Sequence, residues 1–329
     1  AFYNSFLYLF LVDILDIAIS SITFLSAKEK ILLKKNIDSM DNLALLSIEE
    51  LSTIIGRSLG RAAWNGKACR ALAEKSFSLA ESKGINSVFY YEAEFPAMLR
   101  TIPDSPYAFF YRGTLEALKK PCVSVVGTRC ICEKTAHAAF GFAKEAAFCG
   151  QTVISGLANG IDSFAHKGAL SSGILQSTAA ILPCGIDTVV PYGNRSLAQQ
   201  IVKNGGFIAS EYVPGIPAEP WRFVQRNRLV AALSSCTVVV HAPAGSGALI
   251  TADFALDYNR DVVFHSAGFC SEAEKNGHGG KKSVRTSEKF IEEGAPVIEN
   301  YADFVAVRKN APGFKVCKNK GQLEFFDSC

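Results

Sequence analysis

Between Cys122 and Gly268, six apolar, β-rich runs alternate with stretches of helical periodicity, and no other feature of the chain constrains its fold as tightly. The runs are CVSVVG, QTVISG, STAAILP, GGFIASE, CTVVVHA and DVVFHSAG. Helical spacing of apolar residues falls near 133–149, 161–172, 194–204, 221–233 and 247–258. Strands apolar on both faces need helices over both faces, and parallel neighbours need crossovers to join them. The pattern therefore predicts an α/β domain with an extended, Rossmann-like, doubly wound and mostly parallel sheet. The later segment SVRTSEKFIEEGAPVIENYADFVAV adds a helix, a short strand and a helix, so the domain is expected to span 122–308.

Residues 1–85 are expected to form a small all-helical domain, because FLYLFLVDILDIAI, AKEKILLKK, IEELSTII and AAWNGKACRALAEKSFSLAES all carry helical periodicity. Within it IIGRSLGRAA places Gly56 and Gly60 between helices. That arrangement suits either a helix-hairpin-helix module or a plain interhelical turn. The aromatic, proline-punctuated stretch 86–121 reads as a connector with strand-like runs at SVFYY and YAFFYRG. Residues 309–329 lack periodicity and read as a tail.

Several function classes are disfavoured. The opening run AFYNSFLYLFLV is too short for a membrane span and has no basic residue before it, so a buried helix is expected and no membrane association. Ten cysteines scattered over 329 residues do not form a secreted disulfide framework, which points to a cytoplasmic location. Cys130 and Cys132 form a CxC pair with no second pair to complete a metal set, so no metal site is expected. With 34 Lys and Arg against 31 Asp and Glu, any anion site must be a local arrangement.

In an open parallel sheet the ligand crevice lies beyond the carboxyl ends of the strands, so the residues after each run carry the chemistry. The first run ends in Gly127-Thr128-Arg129. The second ends in Ser155-Gly156 and continues through Asn159-Gly160 into a helix holding Asp162 and His166. The fifth leads to Gly245-Ser246-Gly247 and a helix with Thr251. Helix N-termini opened by glycine present free N–H groups to anions. None of the loops is GxGxxG or GxxxxGK[ST], so neither a dinucleotide cofactor nor a nucleoside triphosphate is expected.

Asp162 is read as a helix cap or an orienting group, and His166 as a structural histidine or an acid-base partner of Asp162. Asn194 is expected to cap its helix, with Arg195 facing the crevice. Glu211 is expected to orient the arginines of WRFVQRNR, namely Arg222, Arg226 and Arg228, with Asn227 beside them. Guanidinium groups interleaved with Trp221 and Phe223 suit a single-stranded nucleic acid, whose phosphates meet charge and whose bases stack on rings. Three glycine-opened entries on one sheet edge suit a run of backbone phosphates. Truncating Arg129 or Arg226 is expected to weaken such binding and leave stability nearly unchanged.

The motifs FPAMLRTIPDSPYAFFYRG, VSVVGTR, VISGLANGIDSFAHKGAL, PCGIDTVVPYGNRSLAQQI, EYVPG, RFVQRNRLVAALS and GSGALITADFAL stand in an order that resembles the DNA-processing protein A (DprA/Smf) family. The resemblance implies a Rossmann-like domain that binds single-stranded DNA without a catalytic step. It also implies loading of a RecA-type recombinase in natural transformation and recombination, commonly as a homodimer. It places the DNA site on Gly127, Thr128, Arg129, Ser155, Gly156, Gly160, Arg222, Arg226, Asn227, Arg228 and Gly245 to Gly247. Two positions depart from the family pattern, Thr128 where serine is common and Asn159 where a basic residue is frequent. No winged-helix domain is expected in 309–329. The rival is a phosphoribohydrolase-like enzyme acting on nucleoside monophosphates. Its PGGxGTxxE loop corresponds here to PAGSGALITADF, in which Asp253 is the nearest acid to the missing glutamate.

Overall fold

A computed structural model describes residues 13–60, 62–269 and 286–309. The run AFYNSFLYLFLV and residues 310–329 of the expected tail lie outside the described residues. The described chain forms two compact units. The first runs to Arg112 and takes in Cys184–Thr188 and Ser210–Pro217. The second comprises Gly113–Pro183, Val189–Ala209 and the chain from Ala218 onward.

In the first unit five helices precede a β-hairpin: α1 (Ile14–Ser21), α2 (Ala27–Asn36), α3 (Met40–Leu45), α4 (Ile48–Ile55) and α5 (Gly66–Lys83). Their starts are written locally. Ser26 with Glu29 and Ser47 with Glu50 form capping boxes, each serine hydroxyl accepting from the N3 amide while the glutamate returns to the cap amide. Burial of Cys69, Ala73, Ser76 and Ala80 at steps of four, three and four gives α5 its inner face. Gly56 ends α4 in the left-handed conformation, and α5 begins only at Gly66. Arg57 meanwhile donates to Glu29 and to the Phe24 carbonyl.

Strand β1 (Asn86–Phe89) pairs antiparallel with β2 (Ala108–Gly113), and the short helix α6 (Ala97–Arg100) lies between them. A buried carboxylate joins the helices to this hairpin. Asp16 of α1 accepts from the Tyr107 hydroxyl at 2.5 Å and the Tyr91 hydroxyl at 2.8 Å, with Lys34 Nζ at 2.9 Å. Burial and the Asp16 charge push both phenols up, so they stay protonated donors.

The second unit is the doubly wound α/β domain that the alternation requires. In chain order it contains β3 (Cys122–Gly127), α7 (Glu133–Phe148), β4 (Thr152–Ser155), α8 (Ile161–Ser171), β5 (Thr178–Ile181), α9 (Arg195–Lys203) and β6 (Phe207–Ser210). Then follow α10 (Pro220–Ala232), β7 (Cys236–His241), α11 (Gly247–Asp257), β8 (Asp261–His265), α12 (Ser287–Glu292), β9 (Val297–Ile298) and α13 (Tyr301–Arg308). Its seven strands lie in the order β6-β5-β4-β3-β7-β8-β9, and every pairing from β6 to β9 is parallel.

Every residue of β4, β5 and β6 is buried, as helices over both faces demand. On one face the small side chains Ala139, Ala143 and Ala146 of α7 and Ala165 and Ala169 of α8 let these helices lie close over Val123, Val125, Val153 and Val238. Phe142 fills the remaining space edge-on to Phe304, with ring centroids 5.3 Å apart. The chain steps from β3 to one side through β4, β5 and β6, then returns to the other through β7, β8 and β9. That reversal puts the topological switch point between β3 and β7, where the connections leave in opposite directions and open a crevice.

Candidate functional site

A cleft of about 550 Å³ lies at that crevice. Three strand-to-helix loops and one face of α10 form its walls: Gly127, Thr128 and Arg129 after β3, Gly156 and Ala158 after β4, and Ser246 and Gly247 after β7. Thr128 and Gly160 show why these loops are held so close. The Thr128 carbonyl accepts from Ile161 N at 3.2 Å, and Thr128 N donates to the His241 carbonyl at 2.8 Å, tying the β3 loop to its neighbours on both sides. Gly160 sits at φ 81°, ψ −134°, and a Cβ there would stand 2.3 Å from the Thr128 carbonyl oxygen. Only glycine satisfies both the dihedral and the space.

Arg226 is the keystone of the floor. It is 4% exposed, and its Nη1 donates to the Gly156 carbonyl at 2.5 Å and to the Ile181 carbonyl, joining the carboxyl ends of β4 and β5. Gly156 is what admits it, since a Cβ there would lie 2.3 Å from Nη1. The carboxylate of Asp162, in the first turn of α8, accepts from Gly156 N at 3.1 Å and Ala158 N at 3.3 Å. Gly160, not Asp162, occupies the cap position of α8, so Asp162 shapes the loop by reaching back to its amides. Burial pushes the Asp162 carboxyl up, while the Arg226 charge and these two N–H groups pull the other way.

His166 is buried behind this floor. Thr178 Oγ1 donates its one proton to the Val153 carbonyl at 2.7 Å, so the 2.7 Å contact to His166 Nδ1 has the imidazole as donor. Its Nε2 is left bare, with no hydrogen-bond partner among the described residues. A second proton would create a buried donor beside Arg226, and desolvation with that charge brings the pKa down to about 3. His166 thus sits behind the floor as a buried imidazole and does not line the cleft.

The mouth of the cleft has a different character. Arg129 is exposed, and its guanidinium lies 5.1 Å from the centroid of the Phe223 ring on α10. Phe223 and Val224 line the same wall. The N-termini of α8 and α11 open at this edge, each an eleven-residue helix with no side-chain cap at its first turn. Their macrodipoles add partial positive charge where Arg129 already stands. Ser246 Oγ is buried there with no hydrogen-bond partner among the described residues. Asn227 Nδ2 donates to the Gly247 carbonyl at 3.1 Å, and Thr251 Oγ1 donates to the same oxygen at 3.1 Å, fixing the entry of α11.

Of the residues singled out in the sequence, Gly127, Thr128, Arg129, Gly156, Arg226, Asn227, Ser246 and Gly247 line the cleft, as do Asp162 and Thr251. Ser155, Asn159, Gly160, Arg222, Arg228 and Gly245 do not. Ser155 is buried and donates to the Val125 carbonyl at 2.6 Å. Asn159 is exposed beyond the rim. Arg222 folds over the Trp221 ring at 4.8 Å and meets Glu219 at 3.6 Å, while Arg228 is 5% exposed. Glu211 follows β6 and belongs to the first unit.

Asn194 corrects its expected role. Its side chain does not cap α9 but donates to the Leu157 carbonyl at 2.8 Å and to Asn159 Oδ1 at 3.5 Å, bracing the loop after β4. No local sequence signal marks that link, because 37 residues separate Asn194 from Leu157.

Comparison with known proteins agrees with this architecture. A family model described as DNA recombination-mediator protein A matches residues 86–309. Protein Smf of Borreliella burgdorferi is 31% identical over 303 residues, spanning 92% of this chain and 94% of that protein. The X-ray structure of DNA processing protein A from Streptococcus pneumoniae is similar with a TM-score of 0.67 at 27% identity, covering 88% of this chain and 95% of that one. A Helicobacter pylori DNA processing protein A, solved for insight into its single-stranded DNA binding mode, has a TM-score of 0.56 at 24% identity and covers 68% and 94%; it shares the fold. With its doubly wound sheet, its switch-point cleft and a family match over more than half its length, the chain belongs to the DNA recombination-mediator protein A family.

Proposed function

We propose that this protein binds single-stranded DNA across the switch-point cleft and hands the strand to a RecA-type recombinase, acting as a homodimer in DNA uptake and recombination. The observation that carries the reading is the mouth of the cleft, where exposed Arg129 is stacked on Phe223 between two uncapped helix N-termini. A phosphate can be received by the guanidinium fork at the positive ends of the helices, and an aromatic wall is at hand for a base. The Helicobacter relative, whose structure concerns a single-stranded DNA binding mode, supports the choice of ligand. Recombinase loading rests on membership of a recombination-mediator family.

The protein does this without a catalytic step. Asp162 Oδ2 accepts from two loop amides and His166 is buried behind the floor with its proton on Nδ1, which favours a positioning role for both over a catalytic one. The cysteines of the described residues are all free thiols. Among the described residues no helix is long and apolar enough to cross a membrane.

The test is anisotropy of a fluorescent oligothymidylate titrated at several salt concentrations. Affinity should fall linearly in log–log form as salt rises, because each neutralised phosphate releases counterions. Nucleoside monophosphates should yield neither free base nor ribose phosphate. Affinity that ignores ionic strength, or turnover of a monophosphate, would overturn the reading.

A further inference from the structure

Besides Arg222 over Trp221, the described surface carries another aromatic and guanidinium pair that the cleft does not include, Arg195 over Tyr192. Tyr192 is 75% exposed, in the short 3-10 turn Tyr192–Asn194 that leads into α9. Arg195, the first residue of α9, is also exposed and places its guanidinium 4.5 Å from the Tyr192 ring centroid. One face of the ring is thus covered by a cation, and the other meets solvent. Single exposed rings are ordinary on a protein surface; what points to a partner here is the guanidinium laid over one ring face together with the place of the pair beside the cleft loop.

Position argues for what that partner is. Asn194, between the two residues of the pair, donates to the Leu157 carbonyl at 2.8 Å and approaches Asn159 Oδ1 at 3.5 Å. Ala158, the residue between those two, lines the cleft. The platform is therefore braced against the outer side of the loop whose inner side forms the cleft wall. Asn159 carries no charge at this rim, and Arg195 supplies one close by.

We infer that Tyr192 and Arg195 form a base-stacking station for the strand as it leaves the cleft, with the free ring face taking a base and the in-plane N–H groups of Arg195 reaching the adjoining phosphate. This deepens the proposed function and rests on it. The chemistry is general: an aromatic face stacks on any base, and a guanidinium laid over a ring keeps its edge donors for a phosphate. Recognition is accordingly of single strands without sequence preference, since a duplex keeps its bases stacked on one another.

The test compares a labelled oligothymidylate with an abasic strand of equal length and equal phosphate number. Tyr192→Ala should weaken thymidylate binding roughly 5- to 150-fold, the range expected for loss of one stacked base. It should leave abasic binding unchanged, and Tyr192→Trp should restore the thymidylate affinity. Arg195→Ala should weaken both strands and lower the salt slope by roughly 0.7, one phosphate contact on a single strand. Thermal melts of all three variants should match the parent, because both side chains are exposed. If the parent binds thymidylate in a salt-dependent way and Tyr192→Ala binds it equally well, the station is refuted while the cleft reading stands. Equal losses on thymidylate and abasic strands would also refute stacking. A parent that binds neither strand would overturn both proposals.

Discussion

Arg226→Ala puts the architecture of the cleft floor to its most direct test. The guanidinium is 4% exposed, donates to the carbonyls of Gly156 and Ile181, and lies close enough to Asp162 to pull on its carboxyl. Truncation leaves two strand-end carbonyls without their charged donor and a buried carboxylate without its cation. Removing one partner of a buried, hydrogen-bonded charge costs about 3–5 kcal/mol. For a domain of this size each kcal/mol moves the melting temperature by roughly 2–4 °C, so a fall of roughly 6–20 °C is expected. Arg226→Lys keeps the charge but loses the fork, and should fall between the two. Differential scanning calorimetry on the full chain measures this, with urea unfolding as a check that the m-value is unchanged. A melting temperature within about 2 °C of the parent would refute the account, since by that scale less than about 1 kcal/mol would then rest on those bonds. The expectation drawn from sequence, that Arg226 could be removed with stability intact, is thereby reversed: burial makes this arginine part of the fold.

Other outcomes are open to measurement. Arg129→Ala, at an exposed position, should leave the melting temperature within about 1 °C, weaken oligothymidylate binding and reduce its salt slope by roughly 0.7; an unchanged slope would remove Arg129 from the phosphate track. Gly160→Ala forces a Cβ to 2.3 Å from the Thr128 carbonyl at φ 81°, so roughly 1–3 kcal/mol is lost to backbone strain alone, and binding should fall with stability. His166 binds its proton less readily when folded, about 3 against an ordinary 6.5. The unfolded chain therefore takes up the proton first as pH falls. His166 should cost stability progressively from about pH 6.5 down towards pH 3, with a slope approaching 1.4 kcal/mol per pH unit. His166→Gln should flatten that slope between pH 6.5 and 5; an unaltered slope would show that His166 is not the titrating group.

The arrangement of the second unit was legible in the chain because its causes are local. Six doubly apolar runs separated by helical periods admit few solutions other than a parallel sheet covered on both faces, and strand polarity then places every post-strand loop at one edge. Gly127, Gly156 and Gly247 could be assigned to the cleft on that basis, since which end of a parallel strand faces the crevice follows from connectivity. The helices near 133–149, 161–172 and 247–258 were bounded to within a residue because Gly160 and the apolar spacing announce them.

The depth of each side chain was decided only by tertiary packing. Helical spacing places Arg222 and Arg226 on one face of α10, yet Arg226 reaches under Gly156 to the strand ends while Arg222 turns back onto Trp221 and Glu219. Nothing in WRFVQRNR distinguishes them, because the difference lies in what α10 packs against. Asn194 likewise reads as a helix cap, but a carbonyl 37 positions away offers its amide a better partner. Periodicity and chain connectivity act over a few residues and are written in the sequence. Burial, charge compensation and hydrogen bonds between distant loops depend on which surfaces meet, and only the folded chain brings those surfaces together.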